Sequence, residues 1–163
     1  MSLNEASIGL LAAIIEAMDR IDHDILAQLQ RNGRMRWGEL AAAVHLSPNA
    51  AAERVRRLQR AGIITGFSVR RDWSTLGRPI HAFIDVKLAP GASGQELEAE
   101  LALHDSITQA HHVTGRYDYL VAGHFSDLGA VEALLGQLKA GGAVAETETR
   151  FALRSMETVT PVD

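Results

Sequence analysis

Nine arginines lie between Arg31 and Arg71 against only two acidic residues, Glu39 and Glu53, so this stretch carries a local excess of seven positive charges, all of it guanidinium. A guanidinium is planar, stays charged, and presents donors in a fork that matches two oxygens of a phosphate or carboxylate. The rest of the chain has the opposite sign. Its 163 residues carry 16 basic and 20 acidic side chains, a net charge of -4, and the acidic surplus is gathered in residues 79–163. The average alone would argue against a polyanionic partner. The segregation instead implies a phosphate-binding module followed by a unit with a different task.

Other chemistries are poorly supplied. Cysteine is absent, which removes disulfides, thiolate zinc sites and thiol nucleophiles and fits a reducing, cytoplasmic setting. Seven histidines raise the question of a metal, yet His111 and His112 are adjacent in an expected strand and leave on opposite faces. His23, His45, His81, His104 and His124 show no paired ligand spacing, so no metal or cofactor is expected. Gly91-Ala92-Ser93-Gly94 follows a strand and opens a helix but lacks the glycine spacing and lysine of a phosphate loop. The longest apolar run, Ile8 to Ile15, falls short of the roughly 20 residues of a bilayer span, and no basic cluster precedes it as in a secretory leader. Composition, 47% hydrophobic and 22% charged, is that of a chain able to bury a core.

Three short helices must position the arginines. Asp22 can cap the first, with Ile25, Leu26 and Leu29 inward and a stop at Asn32-Gly33. The second runs from about Arg36 to Val44, and His45-Leu46-Ser47 form a turn. Ser47-Pro48 then supplies a capping oxygen and a proline at the first helical position of the third. There Ala51, Val55 and Leu58 share one side, while Asn49, Glu53, Arg56, Arg57 and Arg60 share the other and Arg54 flanks them. This is the pattern of a helix-turn-helix. Arg34, Arg36, Arg54, Arg56, Arg57, Arg60 and the later pair Arg70 and Arg71 are the phosphate candidates, with Ser47 at the helix start. Asn49 and Ala50 sit where base edges would be read. Glu53 could accept from a cytosine amino group or repel phosphate. From Ile63 to Val69 the period changes to two, which predicts a strand or wing. Before the module, Ile8, Leu11, Ala12, Ile15 and Met18 form the apolar stripe of a further helix, serving either as an oligomer contact or as packing on its own domain.

After a Ser/Gly/Pro-containing connector, the second half alternates in the order strand, helix, strand, strand, helix, strand. The strands are Ile80 to Leu88, Ile107 to Val113, Tyr119 to Phe125 and Val144 to Leu153. Ser93 and Glu96 fit a capping box for the first helix, and Leu128, Val131, Leu135 and Leu138 mark the second, stopped by Gly141-Gly142. The fold class is α+β, a winged helix-turn-helix followed by a ferredoxin-like βαββαβ sandwich. Domains are expected at 1–19 (extension helix), 20–71 (helix-turn-helix with wing strand), 72–79 (linker) and 80–163 (sandwich).

From Met18 onward the chain resembles the Lrp/AsnC, or feast/famine, regulators. The likeness rests on Met18-Asp19-Arg20-Ile21-Asp22, Glu39-Leu40-Ala41, Leu46-Ser47-Pro48, Arg54-Val55-Arg56-Arg57-Leu58, Ala61-Gly62-Ile63-Ile64-Thr65-Gly66-Phe67 and, most specifically, Val113-Thr114-Gly115-Arg116-Tyr117-Asp118-Tyr119-Leu120. The resemblance implies a non-enzymatic transcription factor that binds double-stranded DNA and forms homodimers assembling to octamers. It implies an amino-acid effector held between subunits near Thr114, Gly115, Arg116, Tyr117 and Asp118, with Thr147 and Thr149 of the last strand completing the pocket. Asp118 or carbonyls would take the ammonium, and turn N–H groups or threonine hydroxyls the carboxylate. Gly115 and Asp118 are equally what a plain hairpin turn requires. Departures are His45 where the family has glycine, the acidic Glu53, and the small run Ala50-Ala51-Ala52. The alternatives are an effector-free DNA-organising protein and a small enzyme using His111 or His112 with Asp118.

Overall fold

The computed structural model describes residues 18–155, so the apolar helix expected over 8–19 lies almost entirely outside the described residues. The chain divides into two compact units between Val69 and Arg70.

In the first unit, α1 (Arg20–Arg31), α2 (Trp37–Ala43) and α3 (Pro48–Arg60) close around Ile25, Leu40, Ala41, Val44, Ala51, Val55 and Leu58. The cap of α1 is Asp19 rather than the expected Asp22. The Asp22 N–H donates to Asp19 Oδ1 at 2.9 Å and the Asp19 N–H donates back to Asp22 Oδ2 at 3.2 Å, a reciprocal capping box built from two aspartates. The turn after α2 is a Schellman motif: the N–H of His45 reaches Ala42 O at 3.4 Å and that of Leu46 reaches Ala41 O at 2.9 Å. That geometry needs a left-handed residue, and His45 supplies it at φ 55°. Ser47 Oγ then accepts from Ala50 N at 3.3 Å with Pro48 at N1, as expected. A second Schellman motif, with Gly62 at φ 72° and Ile63 N donating to Leu58 O at 3.0 Å, ends α3.

The strand expected over Ile63–Val69 does not form. Ile63 and Ile64 pack on the helical core, whereas Phe67 and Val69 are 53% and 83% exposed. A period-two sequence makes a strand only where a neighbouring strand takes its N–H and C=O groups. Among the described residues the segment has none.

The second unit follows the expected order: β1 (Ile80–Leu88), α4 (Gly94–Leu101), β2 (Ile107–His112), β3 (Tyr119–Phe125), α5 (Leu128–Ala140), β4 (Val144–Phe151). The sheet is antiparallel in the order β2-β3-β1-β4, the ferredoxin-like arrangement. Both helices cover one face, where Leu97, Leu101, Val131, Leu134 and Leu138 meet Ala82, Ile84, Val86, Tyr119, Val121, Phe125 and Val144. Ser93 caps α4 by position but gives no side-chain hydrogen bond, so the expected capping box is not made. Gly123 is required in β3, since a Cβ there would stand 2.7 Å from Ser106 O. The expected linker 72–79 is a folded turn belonging to this unit. Asp72 Oδ1 accepts from Ser74 N and Thr75 N at 3.0 and 3.1 Å, and Arg78 bonds the Asp105 carboxylate at 2.6 Å.

The exposed side chain of His45 gives nothing back for its left-handed backbone. His45→Gly is therefore expected to stabilise the full chain by about 1 kcal/mol in chemical denaturation. A loss of stability would mean that the imidazole makes a contact worth more than the strain.

Candidate nucleic-acid interface and effector loop

The arginines of α3 are committed to carboxylates on two flanks. On one side Asp22, fully buried, takes Arg57 Nη2 on Oδ2 at 2.5 Å and Arg54 Nη1 on Oδ1 at 3.0 Å. Arg54 Nη1 also lies 2.8 and 2.7 Å from the oxygens of Asp19. This hydrogen bond from Arg54, with that from the Asp22 N–H, holds the Asp19 carboxyl below its usual range. On the other side Glu53 accepts from Arg60 Nη2 at 2.8 Å and from Arg56 Nη1 at 3.3 Å, and the two guanidinium groups lower its pKa.

Exposure then separates the candidates. The Arg54 side chain is 24% exposed and directed inward, while that of Arg57 is 51% exposed. Asn49, Glu53, Arg56 and Arg60 are also exposed, and Ala50 is half-buried. Ser47 is spent as a cap. Arg34 and Arg36 lie in the exposed α1–α2 turn, where the Arg36 N–H donates to Glu39 Oε2 at 3.1 Å. Arg70 falls in the second unit with Arg71, which stacks over the Trp73 ring at 4.1 Å.

At the loop between β2 and β3, Thr114, Gly115 and Arg116 are exposed, with Gly115 at φ 119°. Asp118 is a clasp. Its Oδ2 accepts from Leu88 N at 2.9 Å and its Oδ1 from Lys87 Nζ at 3.0 Å, interactions that keep the carboxyl below its usual range. Arg116 Nη2 donates to Glu146 Oε1 at 2.5 Å, and the Tyr117 hydroxyl donates to Glu148 Oε2 at 2.8 Å, which pushes the phenol up to about 12. Thr147 and Thr149 pair with Val86 and Ile84, whereas Glu146 and Glu148 pair with Lys87 and Asp85. The expected grouping of those threonines with the loop is thus not made within one chain. Alternation along β4 puts them on the helix-covered face and leaves Glu146 and Glu148 to meet Arg116 and Tyr117. The two glutamates carried no motif; only strand register brings them to the loop.

A further cluster was also invisible in the sequence. His81 and His124, opposite each other on β1 and β3, stack at 4.3 Å and 11°, and Trp73 stacks on His124 at 4.7 Å and 9°. Burial lowers the pKa of both histidines, and the charges of His81 and Arg71 add to the effect on His124. Among the described residues no three His, Asp or Glu side chains converge as a metal site.

A sequence model of the AsnC-type helix-turn-helix domain matches residues 18–59, and one of the Lrp/AsnC ligand binding domain matches residues 81–162. The chain belongs to the Lrp/AsnC family. It is a DNA-binding transcriptional regulator of that type, with a C-terminal ligand-binding domain of the α+β ferredoxin-like class. Leucine-responsive regulatory proteins of Salmonella typhimurium and Escherichia coli K12 are 36% and 35% identical over 122 residues, 74% of this chain and 74% of each relative. Among solved structures, a transcriptional regulator of Neisseria meningitidis in complex with L-Met superposes with TM-score 0.83 at 27% identity, covering 89% of this chain and 96% of that one. AsnC of E. coli superposes at 0.74 with 29% identity, covering 88% and 99%. No described helix is long and apolar enough to cross a membrane.

The histidine stack makes stability pH-dependent. Both rings bind protons more weakly folded than unfolded, so their contribution is complete above about pH 6.5 and is lost as pH falls below it. Carboxylates with lowered pKa begin to matter only nearer 4. The Tm of this Lrp/AsnC protein should therefore fall between about pH 6.5 and 5, and His81→Phe should flatten that fall. An unchanged slope in the variant would exclude the stack as its source.

Proposed function

We propose that this regulator lays α3 in the major groove of double-stranded DNA and reads sequence with Asn49, Ala50 and Glu53. Arg56, Arg57, Arg60, Arg34, Arg36 and Arg70 serve the phosphates. The observation that carries the reading is the arrangement of α2, the His45 turn and α3, with a polar, arginine-bearing face turned outward and the N-terminal turn of α3 exposed. The N-terminal residues of such a helix are those that reach base edges. Arg54 is assigned to the fold, since both acidic residues of the capping box occupy it.

The effector is an amino acid, bound at the Thr114–Asp118 loop and completed by a second subunit. In favour are the matched ligand-binding domain, the L-Met complex of the Neisseria regulator, and the local chemistry. Arg116 lies beside Glu146, and Glu148 beside Tyr117, so a cation for a carboxylate and anions for an ammonium are within one surface. Asp118 holds the loop to β1 rather than the ligand. Thr147 and Thr149 act from the other subunit. The working unit is a homodimer, assembling further to octamers, in which the period-two segment at residues 63–69 finds its strand partner on the second chain. It acts in the cytoplasm and catalyses no reaction. Effector binding between subunits would bias the spacing of the DNA-binding units.

A second reading, an effector-free DNA-organising protein, is favoured by one observation: Glu53 offsets Arg56 and Arg60, and Ala50–Ala52 offer little to read bases with. Affinity for an operator selected from a pool of random duplexes should exceed that for the unselected pool by about a thousandfold, and Asn49→Ala should reduce the discrimination at one base pair by about 1–3 kcal/mol. A ratio near one would select the organiser. Melting the protein with each common L-amino acid tests the effector. A rise in Tm with one or two supports it, because a ligand of the folded state stabilises by RT ln(1 + [L]/Kd), and no rise with any counts against it. Asp118→Ala is expected to lower the Tm and abolish the response while leaving effector-free DNA binding in place.

A further inference from the structure

We propose that Asp22 is a positioning residue for DNA binding, acting through Arg57. The inference rests on α3 being the DNA-contacting helix. Among the described residues Asp22 is the buried polar residue of the first unit, and its two oxygens are divided between two arginines of α3 one turn apart. The division is unequal. Arg54 brings Nη1 to Asp22 and to both oxygens of Asp19, and its side chain is largely covered. Arg57 brings only Nη2, at 2.5 Å, and half of its side chain stays in solvent.

A guanidinium has five N–H donors in a fixed plane. With Nη2 anchored on a carboxylate that cannot move, because that same Oδ2 and the Asp22 N–H belong to the capping box of α1 and Oδ1 is held by Arg54, the Nε and Nη1 edges of Arg57 are held in one orientation. Arg57 can then donate to a phosphate without leaving Asp22. An ammonium in its place is a point charge with no second edge, so a lysine would serve the buried carboxylate or the phosphate. Asp19 and Asp22 thus convert the N-terminus of α1 into a rest for an arginine that would otherwise have to be ordered at the moment of binding.

The sign of the effect separates positioning from simple electrostatics. Removing a negative charge beside a phosphate site should tighten binding, whereas removing an anchor should weaken it. The experiment measures affinity of the full chain for a mixed-sequence DNA duplex over a range of salt, with wild type, Asp22→Asn, Arg57→Ala and the double variant, each checked for folding by its melting curve. Asp22→Asn is expected to weaken binding on the order of two- to tenfold, the cost of ordering one long side chain. In the Arg57→Ala background the same change should produce no further loss. Tighter binding by Asp22→Asn, or an equal loss in both backgrounds, overturns the proposal.

Should Asp22→Asn fail to fold, Arg57→Lys decides, since it keeps a cation on Asp22. Its salt slope should drop by about one, as for Arg57→Ala; the wild-type slope would overturn the proposal. Failure of the underlying reading is distinguishable, because wild-type protein would then itself show no salt-dependent affinity.

Discussion

A carboxylate stripped of water survives in a protein only where cations and N–H groups replace the solvent it has lost. Asp22 is such a group, and much of the first unit is arranged around it. The start of α1, the reciprocal cap with Asp19 and the placement of two α3 arginines all meet at its two oxygens. Breaking one partner would leave a buried charge uncompensated, so this corner has one stable arrangement. The surplus of seven positive charges in the sequence is correspondingly moderated at the surface. The four arginines of α3 face three carboxylates, so their charge is already partly partnered within the fold.

The second unit repeats the theme with a different result. Asp118 joins the β2–β3 loop to the end of β1 through Leu88 N and Lys87. This frees the neighbouring Arg116 and Tyr117 to lie over β4, where Glu146 and Glu148 are waiting. The most distinctive motif in the sequence is thus both a turn and a charged surface, the turn being what presents the surface.

Helix content, strand order and the two-unit organisation were legible because each depends on local periodicity and on punctuation such as Ser47-Pro48, Gly62 and Gly141-Gly142. His45 stood out too, as the residue in place of the family's glycine, and it is the one that takes left-handed backbone at φ 55°. What escaped depends on contacts distant in sequence. The arginines of α3 read as phosphate contacts, and their carboxylate partners went unseen because Asp22 stands 32 and 35 residues from Arg54 and Arg57. The strand expected over Ile63–Val69 had the right alternation, but alternation says which face is apolar and nothing about who supplies the hydrogen bonds. Thr147 and Thr149 were grouped with the loop by resemblance, as residues of a pocket between subunits; within one chain it is Glu146 and Glu148, one residue along β4, that meet the loop. His81 and His124 meet only because β1 and β3 pair in one register.

The two Schellman motifs that bracket α3 also set a ruler. Between the left-handed His45 and the left-handed Gly62 the helix has 13 residues, a rod of about 20 Å at 1.5 Å per residue. Laid along a groove it spans about six base-pair steps of 3.4 Å. Neither end can grow, since each is closed by hydrogen bonds back into its own last turn or by the Ser47 cap. Any stretch of operator longer than that must draw its information from a second copy of the rod or from how readily the intervening DNA bends.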